Sequence, residues 1–370
     1  MKKFDKERVL LAFAGPAIAL VVAVALTSIV LLVSGKSPFE PYAIMFEQAT
    51  FSDVQVLIIN EATMYYLAAI AVAVGFRMNL FNIGVDGQYR LAAMTTALVG
   101  AHVALPSFLQ VPMLILVAML TGAFWAGIAG ILKTTRGVSE VVATIMLNAI
   151  ATSLIAWLTL TENFGVAVGN NSTTGEMHES GWVPGITVAG GEIYGLIFLA
   201  VIVGIVYWLV LGRTRFGFDL RATGASESAA AASGVNSKRM VFMAMVISGA
   251  LAGLAGLPIL LGDSHTYGLT FPTGLGFTAI GIALLGRNHP VGIAFAALLW
   301  SWLNKASQEL DYQEYDKEIA VIMQGLIVLA VVISYEAVRV WGLKRQQQRV
   351  GEELAAAARK SKNSEEVAAR

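Results

Sequence analysis

The 370 residues are 56% hydrophobic and 14% charged, with mean hydropathy +0.69. Soluble domains carry roughly 25% charged residues to cover a wet surface, so this composition excludes an ordinary soluble domain. Formal charge balances at zero, which argues against nucleic acid as a partner, and the absence of cysteine excludes disulfides, thiol catalysis and cysteine metal sites.

A helix crosses the ~30 Å hydrocarbon layer in roughly 20 apolar residues. Runs of that kind predict about ten spans, at 10–33, 56–75, 91–105, 113–132, 141–160, 193–211, 240–261, 274–285, 291–304 and 319–338. The expected class is an all-α polytopic membrane protein, since a barrel would show short alternating segments instead. Lys2, Lys3, Lys6 and Arg8 precede the first run, which is too long for a cleaved signal and lacks a small-residue cleavage site, so it reads as a retained span. Gly35-Lys36-Ser37 lacks the earlier glycine of a phosphate loop, because Val30 stands there.

Threading the spans with the amino terminus inside places Lys133, Arg136, Arg213, Arg215, Arg221, Lys238, Arg239, Arg287, Arg339, Lys344 and Arg345 on the cytoplasmic side. The loop 161–192 carries Glu162, Glu176, Glu179 and Glu192 without a lysine or arginine, and 305–318 is mainly acidic. The positive-inside rule then puts both termini in the cytoplasm. Residues 1–343 form the expected transmembrane domain and 344–370 a solvated cytoplasmic tail.

The second span opens with Asn60 and Glu61, followed by Tyr65 and Tyr66. An acceptor, an amide and aromatic faces suit a polar ring-bearing solute; a carboxylate at the outer interface within a tyrosine belt is the alternative. After this span FRMNLFNIGVDGQYR, 76–90, interrupts the apolar pattern, and YGLTFPTGLGFTAIGIALLGRNHP, 267–290, does so after the seventh. Lipid leaves peptide groups unsatisfied, so each segment must be buried in protein or line a wet cavity. Their matching places in spans of opposite direction suggest two inverted repeats with broken helices. Asn79, Asn82, Asp86 and Gln88 are expected to stabilise the first break, Asp86 as a helix-capping carboxylate.

Asn148 lies near the middle of the fifth span and must face the bundle, either in an interhelical hydrogen bond or on a solute. The glycines of GALAGLAG, 249–256, with Gly127 and Gly130, read as close helix contacts. His102, His178, His265 and His289 are too scattered for a metal site. Between the sixth and seventh spans lies RTRFGFDLRATGASESAAAASGVNSKRM, 213–240. Its alanine-rich stretch 226–233 forms a short helix that Gly234 ends, suited to act as a lever, or is simply a basic connector.

These motifs together resemble the permease subunits of ABC-type importers in the branched-chain amino acid, ribose and nucleoside group. Glu227-Ser228-Ala229 with Gly234 downstream is similar to that group's coupling-helix pattern, with Ser228 in place of alanine, and Gly224 lies within the same segment. FNIGVDGQ, 81–88, resembles the nucleoside-type signature with Asp86 in place of glutamate, and VVATIMLNAIA, 141–151, is a further match. The resemblance implies a non-enzymatic transport subunit of a bacterial cell membrane that carries nucleosides inward. It implies a second, related permease chain, an extracytoplasmic binding lipoprotein, and a cytoplasmic ABC ATPase on which ATP and Mg would be held. Ribose-like sugars, or an ion-gradient-driven carrier with Glu61 or Asp86 taking the proton, are the alternatives. Glu61, Tyr65 and Asn148 are the expected pathway residues; 227–234 would dock in the ATPase groove.

Overall fold

The computed structural model describes residues 6–313 apart from 269, together with 315, 318–330, 333, 334, 340 and 341. The expected tail, 344–370, lies outside the described residues. The chain forms two compact units, one built from 40–320 and one from 1–39 with 321–370. In the latter, α1 (Lys6–Val33) is a 28-residue apolar helix. Everything below concerns the larger unit.

The helices of that unit are α2 (Glu40–Gln48), α3 (Ser52–Phe76), α4 (Val85–His102), α5 (Ser107–Arg136), α6 (Glu140–Leu158), α7 (Ile197–Arg213), α8 (Arg215–Ala225), α9 (Glu227–Ala232), α10 (Ser237–Gly253), the single turn α11 (Leu257–Ile259), α12 (Leu275–Leu285) and α13 (Pro290–Ala306). Among the described residues, Ser52–Phe76, Ser107–Arg136, Glu140–Leu158 and Ser237–Ser264 are each long and apolar enough to cross a membrane alone. Helices α7 and α8 meet at a 70° bend, and α12 is a shorter apolar helix. The expected spans at 91–105, 274–285 and 291–304 each coincide with a helix, but α4 starts six residues earlier than its apolar run because Val85-Asp86-Gly87-Gln88 is already helical. The helix α2 has no counterpart among the expected spans, being too short and too polar to register as one.

Helix α3 is the hub. Its residues Leu67 to Ala73 are completely buried, which requires neighbours on every side and explains why a continuous apolar run, with no polar face, is the right sequence for it. It packs chiefly on α13, α12 and α10, while α10 packs chiefly on α5, α3 and α4. The α5–α10 contact is made by small residues: a Cβ on Gly122 would lie 2.1 Å from the Gly249 carbonyl oxygen, one on Gly249 2.3 Å from that of Gly122, and one on Gly253 2.1 Å from that of Ala118. The two backbones touch, gaining dispersion contacts that any side chain would prevent. Gly249→Val should therefore cost more than the usual ~1–3 kcal/mol of overpacking, since backbone moves less readily than side chains. The expected result is a large fall in the thermal midpoint of the purified chain in detergent, with Ala250→Val on the same helix changing it little.

At one end of the bundle the connection 159–196 forms two antiparallel hairpins, Val166–Val168 with Asn171–Thr173 and Ile186–Val188 with Gly191–Ile193. They are pinned to the helices by backbone bonds from His178 N–H to Gly100 O (3.0 Å), Met177 N–H to His265 O (2.9 Å) and Val183 N–H to Leu261 O (2.8 Å). Trp182 stacks on His265 with ring centroids 4.0 Å apart and planes 9° from parallel. Burial of that imidazole lowers its pKa, against the pull of Asp263 and the other nearby acids. At the opposite end are the turn after α3, the α8–α9 segment and the turn between α12 and α13.

Candidate functional site

Three groups of residues at different depths of the larger unit make up the site. The first walls a cavity of about 330 Å³ near the hairpin end, bounded by α3, the approach to α7, the approach to α12, and the end of α13. Glu61 and Tyr65 both line it, one helical turn apart on α3. The Glu61 carboxylate is held by α13: Asn304 Nδ2 donates to Oε1 at 2.8 Å, the Ser301 hydroxyl lies 3.0 Å from Oε2, and Lys305 Nζ is 3.4 Å from Oε1. With 12% of its side chain exposed, Glu61 faces this cavity. Asn60 is structural. Its amide donates to Glu192 O at 2.9 Å and accepts from Tyr194 N–H at 2.9 Å, fastening α3 to the second hairpin.

Tyr194 closes the cavity from the loop side as a neutral phenol, able to donate or accept. Ser301, Asn304, Lys305 and Tyr194 were not among the expected pathway residues. Lys305 carried the one available signal, a basic residue on the side that the charge asymmetry otherwise depletes. A larger hollow of about 610 Å³ between α3, α7 and α13 is apolar except at Thr63, Tyr66 and His289, so it has few groups with which to recognise a polar solute.

The second group is the break between α3 and α4. Here the chain folds back along α3, so that Asn82 reaches Ser248 in α10 (2.9 Å) while the Ser248 hydroxyl donates to Ala71 O (2.7 Å). The Asn82 and Gln88 side-chain amides exchange a pair of hydrogen bonds, each amide nitrogen donating to the other's oxygen at 2.9 Å, and Asn82 Oδ1 also accepts from Gly84 N–H at 3.1 Å. Both residues are fully buried, as polar groups must be when they replace helical hydrogen bonds away from water. Asn148 belongs to this group and does not line the cavity: its Oδ1 accepts from Gly87 N–H at 2.9 Å and its Nδ2 donates to Ile83 O at 3.0 Å. Of the two roles open to it, the interhelical bond is the one its geometry serves, because the backbone engages both ends of the amide.

Asp86 stands where two helix N-termini meet. It lies in the first turn of α4, and its Oδ1 accepts at 2.8 Å from the N–H of Gly274, the residue that precedes α12. A Cβ on Gly276 would be 2.4 Å from Asp86 N, so α12 starts directly against α4. Arg90 Nη1 is 3.6 Å from the other carboxylate oxygen.

The third group is the α8–α9 segment. Ser226 caps α9 by accepting from Ala229 N–H at 3.3 Å, and Gly234, at φ 83°, reverses the chain in a conformation that costs other residues dear. The expected 226–233 helix is thus present as Glu227–Ala232. Glu227, Ser228 and Ala229 are exposed, and Ala230 turns inward. Asn79, at φ 54°, donates its amide to Gly224 O at 2.7 Å.

The family described as the branched-chain amino acid transport system permease component matches residues 55–332. The guanosine ABC transporter permease protein NupP of Bacillus subtilis is 31% identical, over 86% of this chain and 93% of that protein. The nucleoside ABC transporter permease protein NupB of Lactococcus lactis is 29% identical over 86% and 90%, and the glucose ABC transporter permease protein TsgB13 of Haloferax volcanii 29% over 88% and 88%. The apolar helices, the interior break and the match over three quarters of its length lead to one conclusion: the chain belongs to this permease family, as a multi-pass membrane subunit of an ABC-type importer.

Proposed function

We propose that the chain carries nucleosides into a bacterial cell by alternating access. It would span the cell membrane about ten times with both termini cytoplasmic, the hairpins outside and α9 inside. The observation that carries the reading is the cavity beneath the hairpins, where a buried aromatic face, Tyr65, lies beside the polar groups of Glu61, Asn304, Lys305 and Tyr194. An aromatic face stacks on a base, and paired donors and acceptors suit ribose hydroxyls. Relatives named for guanosine and nucleoside transport support that cargo, and the relative named for glucose keeps a sugar as the second reading.

The exchange of partners among α3, α12 and α13 on one side and α10, α4 and α5 on the other supports two inverted repeats, in which α3 corresponds to α10, α4 to α12 and α5 to α13. Asp86 between two half-helix N-termini fits that arrangement. The exposed Glu227-Ser228-Ala229 face would dock on an ABC ATPase holding ATP and Mg, with a related second permease completing the pathway and a binding lipoprotein delivering the solute. Uptake of labelled guanosine, ribose and glucose into proteoliposomes holding the full complex tests the cargo; guanosine should enter in an ATP-dependent way, and entry of sugars alone would overturn it. Glu227→Arg should leave the purified permease folded and cut uptake at least roughly tenfold, since a misplaced interface charge costs over a kcal/mol.

A further inference from the structure

Helices α8 and α9 are joined to the bundle covalently through Thr214, which follows α7, and through the 233–236 turn, which enters α10. A non-covalent link joins them to the turn after α3. The Asn79 amide donates to Gly224 O at 2.7 Å, and a Cβ on Gly224 would fall 2.6 Å from Met78 Cα, 2.8 Å from its carbonyl carbon and 3.0 Å from Arg77 O. Backbone here lies on backbone, with no side chain between them to flex. Three residues after Asn79, Asn82 is locked to Gln88 in the first turn of α4 and to Ser248 in α10. Two residues before it, Arg77 Nη2 donates to Asn288 O at 2.8 Å, the same carbonyl that accepts from Tyr207 of α7 at 2.8 Å, and Asn288 is in the turn joining α12 to α13.

We propose that the Asn79–Gly224 contact is the joint through which displacement of α8–α9 reaches both half-helices, α4 by way of Asn82 and α12 by way of Arg77 and Asn288. The proposal rests on the permease reading above, in which α9 is the ATPase-facing lever. Gly224 is a glycine at this point because the turn after α3 occupies the volume of its side chain. Asn79 is suited on two counts: asparagine tolerates the left-handed backbone at φ 54°, and its amide supplies the donor that Gly224 O accepts. Asn79 does not line the cavity, so it acts as a positioning residue and not as a solute contact.

The test uses the full complex of both permeases, the ATPase and the binding protein in proteoliposomes, and reads solute taken up per ATP hydrolysed. Asn79→Asp keeps the size and backbone tolerance but turns an acceptor toward the Gly224 carbonyl; Asn79→Gly keeps the backbone freedom and removes the amide. Both should assemble with wild-type subunit ratio and thermal midpoint, hydrolyse ATP, and show a transport ratio lowered roughly tenfold, within the usual range for coupling between sites. A wild-type ratio in both variants, beside a coupled wild-type complex, would overturn the joint and leave the permease reading standing. Uptake that falls only in step with the thermal midpoint, at constant ratio, would mark a merely structural contact and overturn it too. A wild-type complex with no ATP-dependent uptake would remove the permease reading and the joint together.

Discussion

Asp86→Ala should be the most destabilising single substitution at the break, lowering stability by about 3 kcal/mol, and Asp86→Asn should cost about 1 kcal/mol. The argument begins with the two helix ends. Neither α4 nor α12 has a side-chain cap of its own, and their first turns are in contact through Gly276. Each N-terminus carries about half a positive charge, and bringing two together in a poorly solvated interior is unfavourable without an anion between them. The Asp86 carboxylate is that anion: it satisfies Gly274 N–H at 2.8 Å and lies 3.6 Å from Arg90.

Alanine removes the charge, the acceptor for Gly274 and the partner of Arg90 at once, with a charge-assisted bond alone contributing about 1.5–3 kcal/mol. Asparagine retains an oxygen for Gly274 and loses only the charge. Asp86→Glu keeps the charge but adds a methylene to a junction where backbones already touch, so it should fall between wild type and alanine. Thermal denaturation of the detergent-solubilised chain gives the ordering. Equal midpoints for Ala and wild type would show that the helix ends need no neutralising charge.

The resemblance of FNIGVDGQ to a family signature pointed to a functional segment, yet what it does is visible only in three dimensions. Asn82 and Gln88 pair with each other, but the other bonds reach far along the chain: Asn82 to Ser248, Asp86 to Gly274, and the Gly87 N–H to Asn148. Hydropathy located both breaks, because polar residues at membrane depth are costly and therefore few. Alanine propensity and a terminal glycine located α9, and the structure adds its Ser226 cap. Asn148 illustrates the limit, since a buried amide must be paired but the sequence does not say with what. The wall of the cavity was harder still: Ser301, Asn304 and Lys305 lie some 240 residues from Glu61, and only helix packing reveals that α13 presents them to α3. The hairpins and α2 escaped because they are short, and in such segments tertiary contacts decide conformation more than local preference.

The second large effect concerns that wall. Glu61→Ala should lower uptake roughly 10- to 100-fold, and Lys305→Met should lower it less. Truncating one member of a well-buried ion pair costs ~3–5 kcal/mol, but both side chains here retain some exposure, 12% and 23%, so solvent screening reduces the figure toward 1.4–2.8 kcal/mol, or one to two powers of ten. The two changes are unequal because of what each leaves behind. Without Lys305 the carboxylate still has Asn304 at 2.8 Å and the Ser301 hydroxyl at 3.0 Å, whereas without Glu61 the ammonium loses its anion and Asn304 loses its acceptor within the cavity. The double variant Glu61→Gln with Lys305→Met restores neutrality and leaves an amide that can still bond Ser301 and Asn304. It should therefore transport better than the two single effects combined would allow, a positive coupling of the size seen for residues in contact. Michaelis constants and maximal rates for uptake, measured at matched surface expression on the wild type, Glu61→Gln, Lys305→Met and their double variant, close that cycle and check this. Strict additivity would mean that Glu61 and Lys305 act separately, and that the link between α3 and α13 is not part of the transport cycle.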